Sequence, residues 1–226
     1  MQPNHVVVAG GINVDVCGKS FGPLIARDSN PGTVRLSLGG VGRNIAHNLC
    51  LLGTRVTMLT ALAGDAYEER IRTVSAKAGI DLSKARYLPE GRTSTYLVIE
   101  GPEGDMALAL CDAQLAEEIT PAYLAENLDL MNSASAVVLD TNLTEEAITF
   151  LAERVTVPIF ADAVSVTKAE KLLPVLGQLH TLKPNRLEAE LLSGIRITDR
   201  ATLAAAADKL LATGLERFFI SLGSAG

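Results

Sequence analysis

Short apolar runs rich in β-branched residues alternate along the chain with longer segments in which apolar residues recur every three or four positions. Runs of the first kind predict buried strands, and segments of the second kind predict amphipathic helices. The predicted strands are 5–10, 55–62, 135–140, 158–161, 179–182 and 217–221. The predicted helices are 42–52, 66–79, 144–154, 185–193 and 199–213. Because the two kinds of element alternate, we expect an α/β fold with a mostly parallel sheet and helices on both faces.

Two segments break this rhythm. Residues 14–37 are extended and rich in turn residues, and residues 93–111 have the pattern of a β-hairpin whose turn lies at 101–105. Together they predict a small separate sheet. The pattern by itself favours an ordinary exposed β-appendage.

The first predicted strand ends in two glycines and is followed by Asn13 and Asp15. On an extended backbone, side chains two residues apart point the same way. A carboxylate beside an amide suits a vicinal diol, which offers two hydroxyl donors. The alternative is that Asp15 is a turn residue after the strand.

A second motif is the glycine-rich run 39–42, which leads through Arg43 and Asn44 into a predicted helix. Bare glycines let backbone N–H groups approach a ligand, and a helix N-terminus adds positive partial charge. Taken alone, the segment is equally consistent with a tight turn that binds nothing.

A third motif places Asn185 and Glu188 three residues apart at the start of a helix, where they share a face. Both offer the oxygen ligands that hard cations prefer. Mg²⁺ usually keeps several waters, so we expect these side chains to act directly or through bound water.

The order of these motifs resembles the ribokinase family of carbohydrate and nucleoside kinases, over essentially the whole chain. Within that family, segments 28–32, 39–48 and 180–190 are most similar to kinases that phosphorylate pseudouridine. The resemblance implies a ribokinase-like three-layer α/β/α domain, with 14–37 and 93–111 inserted as a β-sheet lid. Residues 1–226 would be the N-terminal part of that domain.

The resemblance also implies the chemistry: ATP-dependent phosphorylation of the 5′-hydroxyl of pseudouridine, with Mg²⁺ and, optionally, a monovalent cation. It implies a homodimer formed through the lid. The family's catalytic aspartate and its anion hole follow the segment that ends at Gly226, so we expect no catalytic base in this span and no activity of the span alone.

The residues expected at the site follow from the motifs and the resemblance. Those expected to bind substrate are Asn13, Asp15, Asp28, Asn30, Gly40, Gly42, Asn44, Thr95, Asp112 and Asn142. Those expected near the nucleotide and its phosphates are Lys168, Asn185, Ser221 and Gly223, and those expected near the metal are Asn185 and Glu188. Asp28 and Asn30 are equally well explained as turn residues, and Lys168 as a solvated lysine.

Composition narrows the alternatives. The net charge of −6 argues against a nucleic-acid partner, which favours a basic face. No stretch approaches the ~20 apolar residues of a membrane helix, and the three cysteines lack metal or disulfide spacing, which favours the cytoplasm. The competing functions are a kinase for another sugar or nucleoside, such as ribose or adenosine, and a non-catalytic sugar-binding protein if the chain ends at Gly226.

Overall fold

A computed structural model describes residues 5–223. The strands are β1 His5–Ala9, β2 Asn13–Ser20, β3 Gly32–Gly39, β4 Arg55–Leu59, β5 Ala61–Ala63, β6 Ile80–Asp81, β7 Arg86–Leu88, β8 Thr95–Glu100, β9 Met106–Asp112, β10 Ala136–Asp140, β11 Ile159–Asp162, β12 Thr181–Lys183 and β13 Arg217–Phe218. The helices are α1 Val41–Leu51, α2 Glu68–Lys77, α3 Pro121–Glu126, α4 Leu128–Ser133, α5 Glu145–Arg154, α6 Val166–Ala169, α7 Arg186–Ser193 and α8 Arg200–Leu211. Two 3₁₀ segments span Gln114–Glu118 and Glu170–Gln178.

The central sheet has seven strands in the order β13-β12-β11-β10-β1-β4-β6, and each neighbouring pair is parallel. Its strands are apolar on both faces because helices cover both sides. Along β1, Val7 and Ala9 pack into a core with α5, whereas Val8 packs into a second core with α1 and α2. The expected mostly parallel α/β architecture is confirmed.

The two segments that depart from the strand–helix alternation, 14–37 and 93–111, form a separate four-stranded sheet in the order β3-β2-β8-β9. Strands β2 and β8 are parallel, and the other two pairs are antiparallel. This sheet, the lid hereafter, is made of residues 13–20, 32–39, 95–100 and 106–112, close to the predicted segments.

Some boundaries differ from the sequence prediction. The predicted strand 55–62 is two strands, because the chain leaves the central sheet after Leu59 and Ala61–Ala63 pairs with Arg86–Leu88. Helices α3 and α4 have only six residues each, and the second 3₁₀ segment contains Pro174. None of these three elements therefore shows a long periodic pattern in the sequence. Within residues 5–223, no helix has both the length and the apolarity to cross a membrane.

Candidate functional site

A cavity of about 440 Å³ lies between the lid and the carboxyl ends of β1, β10 and β11. Open parallel sheets bind ligands at this edge. Seven of the predicted substrate residues line it together: Asn13, Asp15, Gly40, Asn44, Thr95, Asp112 and Asn142. Residues more than a hundred positions apart in the chain therefore lie around one cavity.

The carboxylate–amide pair on β2 is formed as the two-residue spacing predicts. Asn13 Nδ2 donates a hydrogen bond to Asp15 Oδ1, which leaves Asp15 Oδ2 as an acceptor. Gly39 lies opposite Asn13 on β3, and a Cβ at this position would overlap the Asp15 carboxylate. A glycine at position 39 is thus needed to leave room for the Asp15 carboxylate.

Arg43 is buried near this pair and affects it through hydrogen bonds to neighbouring groups and through its charge, a role that the sequence analysis missed. Its side chain is only 8% exposed, and Nη1 donates to the carbonyl of Leu38 (3.4 Å) and to Asn44 Oδ1 (3.2 Å). The second bond leaves the Asn44 NH₂ group to donate to a ligand. Within residues 5–223, Arg43 Nε has no hydrogen-bond partner.

The charge of Arg43 also acts on Asp15. Burial raises the pKa of Asp15 above its ordinary value, while the hydrogen bond from Asn13 and the positive charge of Arg43 oppose that rise. Arg43 and Asn13 therefore favour the ionised carboxylate, which is the form that accepts hydrogen bonds from hydroxyl groups. A charged residue inside a glycine-rich helix start was the available sequence signal.

Asp140, at the end of β10, holds the cavity floor together. It is fully buried, and its Oδ2 accepts from the amides of Gly11 (3.2 Å) and Gly42 (2.6 Å), while Oδ1 accepts from the amide of Asn142 (2.9 Å). Burial raises the pKa of Asp140, and these hydrogen bonds oppose that rise. One side chain thus fixes the end of β1, the start of α1 and the loop that carries Asn142.

The two glycines of the helix start have different tasks. Gly40 lines the cavity with φ +95°, and a Cβ there would overlap the carbonyl of Gly11. Gly42, predicted to offer its amide to the substrate, does not line the cavity, because that amide donates to Asp140. A Cβ on Gly42 would lie 3.0 Å from the Gly10 Cα, so this residue serves close packing instead.

Lys168 lies in the same cavity, away from the other predicted nucleotide residues. Its Nζ donates to Asn142 Oδ1 at 2.6 Å. Ser165 and Val164 line the cavity beside it, and the Ser165 hydroxyl caps α6 by accepting from the Lys168 amide at 3.4 Å. Lys168 thus supplies a cation on the wall opposite the lid.

Asp28 and Asn30 are not brought to this cavity. Asn30 Oδ1 accepts from the amide of Ile25 (2.8 Å) and its Nδ2 donates to two carbonyls, while Asp28 Oδ1 accepts from the amide of Ser29 (2.7 Å). Asn30 lines a small separate cavity in the lid. In this structure both side chains stabilise a turn, which is the alternative that the sequence left open.

A second cavity, of about 920 Å³, lies at the ends of β12 and β13 and is lined by Asn185, Ser221 and Gly223. It also contains Arg186 and Arg200. Residues 224–226, the rest of the predicted strand-end loop, lie outside the described residues.

Asn185 and Glu188 form a capping box at the start of α7. Asn185 Oδ1 accepts from the Glu188 amide (3.0 Å), and both Glu188 carboxylate oxygens accept from Asn185, at 2.8 and 2.7 Å. Glu188 is 4% exposed. In the part of the chain from 5 to 223, no group of three His, Cys, Asp or Glu residues could hold a metal ion. Direct coordination of Mg²⁺ by Glu188 does not fit this arrangement, and contact through water remains a prediction.

The first cavity therefore presents two carboxylates, three side-chain amides and a lysine to a ligand, with apolar contacts from Ile12 and Val164. This mixture suits a small polyhydroxylated molecule that carries a ring.

Comparison with known proteins agrees with this geometry. A family model described as pfkB family carbohydrate kinase matches residues 3–226. The chain is 39% identical to a pseudouridine kinase of Escherichia coli K12 over 226 residues, which are all of this chain and 72% of that enzyme. It is also 39% identical to the uncharacterized sugar kinase YeiI of the same organism, over 98% of this chain and 61% of that protein.

Among solved structures, a carbohydrate kinase from Agrobacterium tumefaciens superposes with a TM-score of 0.82 at 27% identity, over 96% of this chain and 70% of that one. The matched fold and the family model agree with each other. The chain belongs to the pfkB family of carbohydrate kinases.

Proposed function

We propose that the chain forms the substrate-recognising part of a kinase that transfers a phosphoryl group from ATP to the 5′-hydroxyl of pseudouridine. The observation that carries this proposal is the Asn13–Asp15 pair facing a cavity that Asn44, Asn142 and Lys168 also line. The similarity to an E. coli pseudouridine kinase supports the choice of nucleoside.

In this proposal the ribose binds on the β2 side of the cavity. Asp15 accepts hydrogen bonds from the vicinal diol, and the NH₂ group of Asn44 donates to a sugar oxygen. The Gly40 turn lets the backbone approach the sugar, and Asn142 contacts it from the floor.

The base lies between the lid and the opposite wall, which carries Val164 and Ser165. Pseudouracil has two ring N–H groups, and Asp112 and Thr95 on the lid offer oxygen acceptors for them. We propose that Asp28 and Asn30 contact the base only after the lid moves, because in this structure their side chains form hydrogen bonds within a turn.

The phosphate donor is placed at the second cavity, beside Asn185, Ser221 and Gly223. Mg²⁺ accompanies the ATP phosphates and neutralises their charge when bound, and a monovalent cation is an optional further ion. Arg186 and Arg200 add positive charge to this cavity. We assign none of the described residues as the catalytic base.

The partner proposed for the lid is a second copy of the chain. The lid face opposite Asn13 and Asp15 is apolar and exposed along both edge strands, at Val34 and Leu36 on β3 and at Leu108 and Leu110 on β9. Large exposed apolar faces mark interaction sites. We place this dimer in the cytoplasm, consistent with three free cysteines.

The test is calorimetric titration of pseudouridine into the wild-type chain and into Asp15→Ala. Loss of a charged hydrogen bond is worth ~2–3 kcal/mol, so we expect roughly 30- to 150-fold weaker binding. Asp129→Ala, on the exposed first turn of α4, is the matched control and leaves the affinity unchanged.

Two results would contradict the proposal. Unchanged pseudouridine affinity in Asp15→Ala would remove the carboxylate from the site. Binding of ribose or adenosine by a wild-type chain that ignores pseudouridine would replace the nucleoside with the alternative substrate.

A further inference from the structure

Val164 has a backbone conformation that a β-branched residue rarely adopts. Its φ is +58°, in the left-handed region, where the branched side chain crowds its own backbone. It lies two residues after β11, which ends at Asp162, and it lines the first cavity. Strain of this kind persists only where the surroundings over-determine it, and it concentrates at functional sites.

Three hydrogen bonds hold the turn around Val164 in place. The Thr141 hydroxyl donates to the carbonyl of Ala163 (2.6 Å), and the amide of Ser165 donates to the same carbonyl (2.6 Å). The amide of Val164 donates to Asp162 Oδ1 (2.9 Å). Ala163 is fully buried, so the turn cannot relax by moving toward solvent.

The same turn sets the wall of the cavity. Val164 and Ser165 line it directly, and Ser165 starts the helix from which Lys168 reaches Asn142. A turn with ordinary dihedral angles would send this chain in another direction. The strained turn therefore holds an apolar residue in the cavity wall, beside the polar residues Asn142 and Lys168.

We propose that Val164 is a specificity-determining residue, whose side chain fixes the width of the cavity and selects a pyrimidine-sized nucleoside over a larger one. This inference rests on the proposed nucleoside function. Because the turn is held by three hydrogen bonds, Val164 cannot withdraw when a larger ring enters. Shortening the side chain removes the wall and leaves the polar contacts in place.

The test compares Val164→Ala with Val164→Gly, which shorten the wall alike but differ in backbone freedom. At an ordinary position glycine destabilises a protein relative to alanine, whereas at a positive φ the order reverses. We expect the glycine variant to unfold at a higher urea concentration than the alanine variant. In both variants we expect the ratio of adenosine to pseudouridine dissociation constants, measured by calorimetry, to fall about tenfold, the size of effect typical of a changed pocket contact.

Arg27 supplies the matched control pair. It is the other described non-glycine residue with a positive φ, +64°, but it lies in an exposed turn of the lid segment and does not line the cavity. Arg27→Gly should likewise be more stable than Arg27→Ala. In both Arg27 variants we expect the ratio of adenosine to pseudouridine dissociation constants to equal that of the wild type.

Each outcome decides the inference. An alanine variant of Val164 at least as stable as the glycine variant would show that the turn is not strained. A wild-type ratio in both Val164 variants, or an equal change in the Arg27 pair, would overturn the specificity role while leaving the nucleoside function intact. A wild-type chain that binds neither nucleoside would overturn the proposed function and this inference with it.

Discussion

Replacing Asp140 by asparagine tests whether one buried carboxylate organises the cavity floor. The carboxylate accepts from three backbone amides, two at Oδ2 and one at Oδ1. An asparagine side chain has one acceptor oxygen and one NH₂ donor in the same space. Whichever way the amide is turned, at least one backbone N–H meets a donor and is left without an acceptor.

The magnitude follows from these contacts. One orphaned buried amide costs ~1–3 kcal/mol, and the two surviving bonds lose their charge-assisted character, at roughly 0.5–1.5 kcal/mol each. Removal of a buried charge offsets part of this, because its desolvation no longer opposes folding. We expect Asp140→Asn to lower the free energy of unfolding by about 2–4 kcal/mol.

The matched control is Asp162→Asn. Asp162 occupies the register position next to Asp140, on β11, but its side chain is 18% exposed and accepts one backbone amide, from Val164. An asparagine oxygen replaces that single acceptor, so we expect a loss below ~1 kcal/mol. In the wild type, Asp162 also forms a partly exposed ion pair with Lys183 at 3.4 Å, and loss of such a pair changes the free energy of unfolding little.

The assay is urea unfolding followed by circular dichroism, combined with calorimetric titration of pseudouridine. Asp140→Asn should also weaken pseudouridine binding, because Gly11 and Asn142 line the cavity and lose their common support. Unfolding free energies of the two variants within ~0.5 kcal/mol of each other would refute the reasoning, since the number of accepted amides would then be irrelevant.

Two further perturbations address other parts of the fold. His5 is buried against Thr57, and burial and the charge of Arg55 lower its pKa below the ordinary 6.5. Because the unfolded chain then binds the proton more readily than the folded protein does, the free energy of unfolding falls as the pH drops below about 6.5. Urea unfolding at pH 8 and at pH 5 should show a smaller fall in that free energy for His5→Gln than for the wild type. Leu110→Lys places a charge on the exposed face of the lid. If the proposed dimer forms through that face, sedimentation should show a dimer for the wild type and for Lys84→Glu, which lies outside the lid, and a monomer for Leu110→Lys.

The elements that sequence could predict are those whose pattern is local. Helices such as α1 and α5 show a periodic apolar face over ten or more residues. The alternation of β2 was enough to place Asn13 and Asp15 on one side of a strand. Short helices such as α3 carry too few turns for a period to be visible.

The residues that sequence reasoning missed have roles that depend on distant partners. Asp140 meets Gly42, 98 positions earlier, only because β10 lies beside β1 in the sheet. In the sequence, Arg43 stands out only as a charged residue in a glycine-rich helix start, which does not indicate that it is buried near Asp15. The conformation of Val164 has no sequence signal, since valine is unfavourable at a positive φ.

Asn13 and Asp15 belong to the first strand of the lid, whereas Asn142 lies in the loop after β10 and Lys168 lies in α6, both on the side of the central sheet. A ligand that bonds to both groups becomes a cross-link between two parts of the molecule. We expect the lid to open and close in solution, and the measured affinity then includes the fraction of molecules in which the lid is closed. Amide hydrogens of β2 and β8 should therefore exchange more slowly with deuterium when the cavity is filled, although the ligand touches few of them.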